Sequence, residues 1–275
     1  MDSLLLSELV QTMGQLMQRA VFQPPEAHLV PVVMDNSYTV TSSQGSYNIP
    51  IFHIKTPGAQ WVLVYSHGNS EDLSLIFDWC QKLACGLNCD VVAYEYCGYG
   101  MHVLTHDLTS PSEQNVFNDV MDVVTYARRT SEPHQLVVVH GRSLGSAPSI
   151  YAAAHHLDVD GMIIESGFLT CAKTVVNTGW TLPFDMFRNE DYLQQCRQLA
   201  LVIHGTHDHV VPFSHGVAIH QRLPNAFGAD LTRIEGGQHN DLDSLHYQET
   251  IASIRYYLLE LLRSTRVSSF TIGRV

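Results

Sequence analysis

Ser143 lies in the run Gly141–Gly145, whose sequence is Gly-Arg-Ser-Leu-Gly. The run follows the apolar stretch Leu136–Val139 and precedes a stretch of small residues, Ser146–Ala154, that is typical of a helix. A strand, a G-x-S-x-G turn and a helix in this order hold a serine on a strained backbone with its Oγ exposed. The flanking glycines avoid Cβ atoms that so tight a bend would bring into contact. The sequence therefore predicts that Ser143 is a nucleophile.

A serine hydroxyl becomes a nucleophile when a base takes its proton and a carboxylate orients that base. After a G-x-S-x-G serine the acid and the base follow along the chain in that order. Asp208 lies beyond the apolar run Leu199–His204. His239 lies in a glycine-rich loop after the run Ala229–Glu235. We therefore predict a triad of Ser143, Asp208 and His239. The alternatives for the acid are Glu165, Asp185 and Asp191, which lie in or beside an insertion over residues 166–197. The alternative for the base is His246, which lies inside a predicted helix.

The negative charge that develops on a carbonyl oxygen under attack needs two fixed N–H donors. The backbone N–H of Leu144, directly after the serine, is the expected first donor. The second is expected from the loop after the strand Trp61–Ser66, with Asn69 preferred and Ser70 as the alternative. The helix that follows this loop would present its N-terminus, which favours a nearby negative charge.

The composition excludes several functions. The 275 residues carry a net charge of −12 with only 15 lysines and arginines, which argues against nucleic acid and against a membrane site held by electrostatics. No apolar run approaches the roughly 18 residues that a membrane span requires. The apolar fraction of 45% is sufficient for a large core.

The cysteines and histidines show no metal-binding spacing. The six cysteines form no C-x-x-C pair and no secretory signal is visible, so we expect reduced, largely structural thiols in a cytoplasmic protein. The densest histidine set, His204, His207 and His209, has no H-E-x-x-H motif or cysteine partner. We predict neither a metal nor an organic cofactor.

A sheet covered by helices on both faces is needed to position these side chains. Apolar runs alternate between strand and helix patterns, which predicts an α/β fold with a mostly parallel sheet of about eight strands, drawn from nine candidate runs, and an antiparallel start. The predicted strands are Leu29–Met34, Tyr38–Thr41, Tyr47–Lys55, Trp61–Ser66, Asp90–Tyr94, Gln135–His140, Gly161–Glu165, Leu199–His204 and Ala229–Glu235. The predicted helices are Asp72–Leu87, Ser112–Arg129 with Ser112 as its N-cap, Ser146–Ala154, Ser214–Leu223 and Leu242–Ser264.

The alternation pauses over residues 166–197, a stretch rich in aromatic residues and interrupted by proline. An insertion directly after a strand would lie over the carboxyl edge of the sheet, where ligands bind. We interpret it as a small cap that forms an acyl or leaving-group pocket, with a packed surface loop as the alternative. Candidate pocket residues are Phe168 and Phe184 in this stretch and Tyr99 after the strand Asp90–Tyr94.

We expect the chain to divide into an N-terminal helix and linker (1–27), an α/β domain (28–264) that contains the small cap, and a tail (265–275). The N-terminal helix is amphipathic, with one face containing Leu5, Leu9, Met13 and Leu16. This face either packs on the domain or lies shallowly in a membrane surface. The oligomeric state is left open by the sequence.

The motifs together resemble those of the α/β-hydrolase superfamily, and within it the α/β-hydrolase domain-containing protein 17 group of protein depalmitoylases and the Bem46-like serine hydrolases. The resemblance covers about residues 22–262. It is carried by His67-Gly68-Asn69, Tyr96-x-Gly98-Tyr99-Gly100, Pro111-Ser112-Glu113, the serine turn, His204-Gly205-Thr206-x-Asp208, Phe213-Ser214-His215-Gly216 and His239-Asn240-Asp241.

The resemblance implies a thioesterase that removes long acyl chains from protein cysteines, with Ser143, Asp208 and His239 at the family's triad positions. It would act in the cytoplasm, at most peripherally on a membrane, upon an acylated protein or a small acyl ester. Three departures stand out: the N-terminal stretch Val10–Met17 lacks the family's acylated cysteines, Arg142 replaces the usual glutamine, and the stretch Met101–Ser110 is longer than expected. A carboxylesterase, lipase or peptidase with the same triad is the second hypothesis, and a non-catalytic binding protein the third.

Overall fold

The computed structural model describes residues 3–26, 37–44, 47–104, 110–175 and 185–272. Within these ranges the strands are β1 (Ser37–Thr41), β2 (Asn48–Ile54), β3 (Trp61–Ser66), β4 (Asp90–Tyr94), β5 (Leu136–Arg142), β6 (Gly161–Glu165), β7 (Leu199–Gly205) and β8 (Thr232–Ile234). The α-helices are α1 (Ser3–Val21), α2 (Leu73–Leu87), α3 (Gly100–Leu104), α4 (Glu113–Thr130), α5 (Ser146–His155), α6 (Cys171–Val175), α7 (Phe213–Arg222) and α8 (Tyr247–Ile272).

The eight strands of the described chain form one sheet in the order β1-β2-β4-β3-β5-β6-β7-β8. β1 pairs antiparallel with β2, and β2 pairs antiparallel with β4. Every remaining pair is parallel. The predicted α/β fold with an antiparallel start is confirmed, while the predicted strand Leu29–Met34 lies outside the described residues.

Helices cover both faces of the sheet because its central strands are apolar on both sides. Along β3, Val62 and Val64 belong to the core cluster that α4 and α5 cover. Leu63 and Tyr65 belong to the opposite cluster, which α2 and α8 cover. This alternation follows from the two-residue period of a strand, and it places a packed core on each face of the sheet.

Helix caps fix where the helices begin beside the sheet edge. The carboxylate of Asp72 accepts a hydrogen bond from the backbone N–H of Leu75 at 2.9 Å and begins α2. Ser112 Oγ accepts from the backbone N–H of Asn115 at 3.1 Å and begins α4, as the sequence predicts. Each side chain satisfies an N–H that a helix leaves without a partner.

Two predicted elements are wrong in their bounds. Strand β8 has three residues rather than the predicted run Ala229–Glu235. Helix α8 begins at Tyr247 rather than Leu242, because Asp241 holds the preceding residues in turns through a carbonyl that accepts the backbone N–H of His246. The same helix continues past Ser264 to Ile272.

The predicted cap follows β6 directly, at the carboxyl edge of the sheet. Its described part contains helix α6 and two short 3₁₀ turns, Asn189–Asp191 and Leu193–Gln195. Asp185 holds the two described parts together by accepting the backbone N–H of Ala172 at 2.8 Å. Residues 176–184, which include the candidate pocket residue Phe184, lie outside the described residues.

Candidate active site

The turn that carries Ser143 has a strained backbone. Ser143 has φ +51°, in the left-handed region that residues with a side chain rarely adopt. A Cβ on Gly141 would overlap the carbonyl of Gly145, and a Cβ on Gly145 would overlap the carbonyl of Ser66. Both glycines are therefore required by close backbone approach, and the turn lifts Ser143 from the end of β5 into the start of α5.

Three predicted residues form a continuous hydrogen-bonded row. His239 Nδ1 lies 2.7 Å from Asp208 Oδ2, and His239 Nε2 lies 2.9 Å from Ser143 Oγ. A carboxylate can only accept, so Nδ1 carries the proton and donates to Asp208. The Ser143 hydroxyl then donates to the free lone pair of Nε2. The row joins the loops after β5, β7 and β8 at the carboxyl edge of the sheet, where β6 lies between β5 and β7.

Asp208 is held as a carboxylate. Its Oδ1 accepts the backbone N–H groups of Val210 at 2.9 Å and Val211 at 2.8 Å. Its Oδ2, which contacts His239, also lies 3.3 Å from His204 Nε2. Burial by itself would raise the pKa of Asp208, but the hydrogen bonds from His204 and His239 outweigh burial and hold that pKa well below its usual range.

The predicted oxyanion donors border the same cavity as the row. Leu144, Asn69 and Ser70 all line it, together with Ser143 and His239. The backbone N–H of Gly68 donates to Glu71 Oε2 at 2.6 Å, which fixes the start of this loop. The Asn69 side chain bonds to the backbone of Val21 and Gln23 and to Tyr99, so the proposed role of Asn69 in binding the oxyanion concerns its backbone N–H alone.

Arg142 is a central residue of the site to which the sequence assigned no role. Its guanidinium pairs with Glu71, and its Nη2 donates to the backbone oxygen of His239 at 3.1 Å and to Asn240 Oδ1 at 3.0 Å. Its Nε lies 3.5 Å from Glu165 Oε1. Burial opposes the charge of Arg142, but Glu71 and the other nearby acids outweigh burial and raise its pKa. An arginine inside an otherwise apolar strand and turn is the signal that could have indicated this role.

Buried histidine–carboxylate pairs support the loops of the site. His67 Nε2 lies 3.3 Å from Glu95 Oε1, and His140 Nε2 lies 3.3 Å from Glu165 Oε2, with all four side chains fully buried. Glu165 is therefore paired with His140 and Arg142, and it is not the residue that orients His239. The remaining candidates for the acid and the base have local partners: Asp185 accepts from Ala172 and Met186, Asp191 pairs with Arg188, and the backbone N–H of His246 donates to Asp241.

A cavity of about 900 Å³, called here the Ser143 cavity, opens beside the row. Its polar end contains Arg142, Asn240 and Asp243, and burial raises the pKa of Asp243. Its apolar walls come from α1, from the loop after β7 and from the cap, where Phe168 lines the cavity as predicted. Tyr99 does not line it, because its ring is fully buried and its hydroxyl donates to Asn69 Oδ1 at 2.7 Å.

The structure also bears on the cysteines, on metal binding and on membrane-spanning helices. All six cysteines lie in described ranges without a disulfide, and five of them are buried. Among the described residues, no three or more histidine, cysteine, aspartate or glutamate side chains are arranged to hold a metal ion. No helix in these ranges is both long and apolar enough to cross a membrane.

The chain is similar to known hydrolases in sequence and in fold. A family model described as serine aminopeptidase, S33, matches residues 57–188. An α/β-hydrolase domain-containing protein 17B from Xenopus tropicalis is 31% identical over 210 residues, which covers 75% of this chain and 69% of that protein. A 17C protein from Xenopus laevis is 30% identical over 205 residues, which covers 74% of this chain but only 63% of that protein, less than two thirds of its length.

The fold is also similar to that of a solved esterase from Pyrococcus furiosus. The two structures match with a TM-score of 0.68 over 87% of this chain and 97% of that one, at 13% sequence identity. At this identity the likeness concerns the fold alone.

Proposed function

Because this chain belongs to the α/β-hydrolase domain-containing protein 17 family, we propose that it is a serine hydrolase that cleaves acyl esters and thioesters with Ser143 as nucleophile. The observation that carries the proposal is the row from Asp208 through His239 to Ser143, with the serine on a strained turn. This arrangement of nucleophile, base and orienting acid is what acyl transfer requires. The row needs no metal or organic cofactor for this chemistry.

The reaction proceeds in two halves. His239 Nε2 takes the Ser143 proton while Oγ attacks the acyl carbonyl, and the backbone N–H groups of Leu144 and Asn69 bind the oxyanion. His239 then gives that proton to the leaving sulfur or oxygen, and an acyl-Ser143 ester forms. Water, deprotonated by His239, attacks this ester, and the acid leaves as the proton returns to Ser143. Asp208 stays ionised throughout and stabilises the imidazolium.

A long acyl chain on a cysteine of a protein is the proposed substrate. The Ser143 cavity has a volume within the usual range for small-ligand sites, about 300–1,000 Å³. Apolar side chains form most of its walls, and each methylene buried there would contribute about 0.8 kcal/mol. The family resemblance supports the thioester. The proposed location is the cytoplasm, at most peripherally on a membrane.

Labelling with a fluorophosphonate tests the reaction class. The reagent should attach to Ser143 of the wild-type protein, and Ser143→Ala should abolish the labelling. Ser146→Ala is the matched control, because it removes a neighbouring serine on the same turn and should still be labelled. A wild-type protein that stays unlabelled would overturn the serine hydrolase proposal.

Turnover then divides the acyl-protein thioesterase from the esterase or peptidase alternative, which the aminopeptidase family model favours. A peptide with a palmitoylated cysteine, a short oxygen ester and an unmodified peptide are compared under identical conditions. We expect the highest kcat/KM for the palmitoylated peptide. Rapid cleavage of the short ester or of the unmodified peptide, with no release of palmitate, would reject the thioesterase.

A further inference from the structure

The last turns of helix α1 form one wall of the Ser143 cavity. Met17, Ala20 and Val21 line it, together with residues of the cap and of the loop after β7. Their spacing of three and four residues places them on one face of the helix. The helix thus presents a continuous apolar stripe to the space in which an acyl chain would extend from Ser143.

Specific contacts fix this part of α1 on the domain. Phe22, only 5% exposed, packs edge-on against the rings of Phe187 and Tyr99, with centroid distances of 5.7 and 6.4 Å. Gln18 Nε2 donates to the backbone oxygen of Pro111 at 2.5 Å. Residues 17–22 therefore pack on the domain, which is the first of the two arrangements expected for the N-terminal helix.

The same part of α1 is tied to the predicted oxyanion loop through the carboxamide of Asn69. Asn69 Nδ2 donates to the backbone oxygen of Val21 at 2.5 Å, and Asn69 Oδ1 accepts the backbone N–H of Gln23 at 3.1 Å. Tyr99 Oη donates to the same Oδ1. The α1 wall and the loop that would bind the oxyanion are consequently held in one fixed arrangement.

We propose that α1 is part of the acyl-binding site and that Met17 determines the size of the acyl chain that the site accepts. The inference rests on the proposed acyl-hydrolase function and deepens it. Met17 is partly buried against the core and borders the cavity, and its flexible thioether can adapt to an alkyl chain. A larger, rigid ring at this position would fill the space for the distal part of a long chain but leave the carbonyl position free.

The rate of Ser143 labelling by alkyl fluorophosphonates with ethyl, octyl and hexadecyl arms measures directly which chain lengths the site accepts. Met17→Trp should lower the hexadecyl rate by about tenfold, which corresponds to the loss of roughly two buried methylenes, and change the ethyl rate by less than about twofold. Met17→Ala should label with octyl and hexadecyl probes at rates equal to or higher than those of the wild type. Leu16→Trp is the control, because Leu16 is 54% exposed and does not line the cavity.

An unchanged ratio of hexadecyl to ethyl rates in a folded Met17→Trp protein would overturn the inference and leave the proposed function intact. A second readout does not need catalysis: hexadecanoate should bind Ser143→Ala about tenfold more tightly than the double variant Ser143→Ala/Met17→Trp. If the wild-type protein resists every probe but this difference in affinity remains, the proposed function fails and the α1 site stands. If hexadecanoate binds neither variant, or both equally, the α1 site is rejected.

Discussion

Arg142 Nη2 donates to the backbone oxygen of His239 at 3.1 Å, so the residue before the nucleophile holds the loop that carries the base. The same guanidinium pairs with Glu71, whose other carboxylate oxygen accepts the backbone N–H of Gly68. One side chain therefore connects the turn of Ser143, the loop of His239 and the loop of the predicted oxyanion donors. We infer that Arg142 is a positioning residue, since it touches none of the reacting atoms.

Replacing Arg142 with glutamine should affect both stability and turnover. Glu71 and Glu165 would lose their cation while Glu165 stays fully buried, which should destabilise the fold by about 3–5 kcal/mol. The displaced His239 loop should lower kcat by about tenfold to a hundredfold with little change in KM. Urea unfolding and the separate kcat and KM values for a short acyl ester measure the two effects.

The double variant Arg142→Gln/Glu71→Gln should recover part of the stability, because it removes one of the unpaired carboxylates. Arg188→Gln is the matched control for an exposed pair, since Arg188 and Asp191 are both about half exposed, and it should cost less than about 1 kcal/mol. If Arg142→Gln behaved like Arg188→Gln, Arg142 would not be a positioning residue.

His204 and His239 both contact Oδ2 of Asp208, and the removal of His204 should shift the acid limb of the activity profile. His204→Phe removes a hydrogen bond that lowers the pKa of Asp208, so that pKa should rise toward the ordinary value. Protonated Asp208 cannot accept from His239 Nδ1, so kcat should be lost at a higher pH than in the wild type. A kcat profile that extends from about pH 8 down to about pH 2, below the ordinary pKa of an aspartate, detects this shift.

His53→Phe provides the comparison, because His53 is also buried but contacts Tyr126, away from the site. It should leave the shape of the pH profile unchanged. A coincident acid limb for His204→Phe and the wild type would contradict the supporting role of His204.

The glycine at the end of the nucleophile turn should tolerate no side chain. In Gly145→Ala the Cβ would overlap the backbone carbonyl of Ser66, so we expect a loss of about 2–4 kcal/mol and slow or absent labelling of Ser143. Gly14→Ala in helix α1 meets no atom within 4 Å and should stabilise the helix by about 0.5–1 kcal/mol. Thermal unfolding and fluorophosphonate labelling of both variants measure these effects. If Gly145→Ala were as stable and as readily labelled as Gly14→Ala, the nucleophile turn would be able to accommodate a side chain.

Three inner strands, β3, β4 and β6, could be predicted to the residue, whereas the edge strand β8 could not. β3, β4 and β6 have the predicted bounds because each is a continuous apolar run buried on both faces. β8 pairs with one neighbour only, so its short ladder depends on tertiary contacts that no local pattern encodes. The start of α8 was missed for a similar reason, because Asp241 accepts the backbone N–H of Gln238 and diverts the chain into turns.

The proximity of Ser143, Asp208 and His239 could be predicted because parallel strands bring their carboxyl ends to one edge. The support around them could not. Arg142 contacts the His239 loop and Glu71 through pairings between distant parts of the chain. The contribution of α1 to the cavity depends on where Phe22 packs, and an amphipathic pattern alone does not distinguish a protein surface from a membrane.

Asp119 on α4 should make the stability of the protein decrease as the pH rises toward neutrality. Burial raises the pKa of Asp119 to about 7, although hydrogen bonds from Tyr47 Oη and the backbone of Cys97 favour the charged form. An unfolded aspartate titrates near 3.9, so between about pH 4 and 7 the folded state binds a proton that the unfolded state has released. The contribution of Asp119 to the free energy of unfolding should therefore fall across this window, by an amount on the order of 4 kcal/mol, and the loss should be complete above about pH 7.

Asp119→Asn tests this, because its amide oxygen can still accept from Tyr47 but carries no titrating proton. Urea unfolding at a series of pH values should give a stability difference between the wild type and the variant that falls from about pH 4 to pH 7. Asp78→Asn, at an exposed position of α2, should follow the wild-type curve. If Asp119→Asn showed the same fall between about pH 4 and 7 as the wild type, the titration would belong to another group.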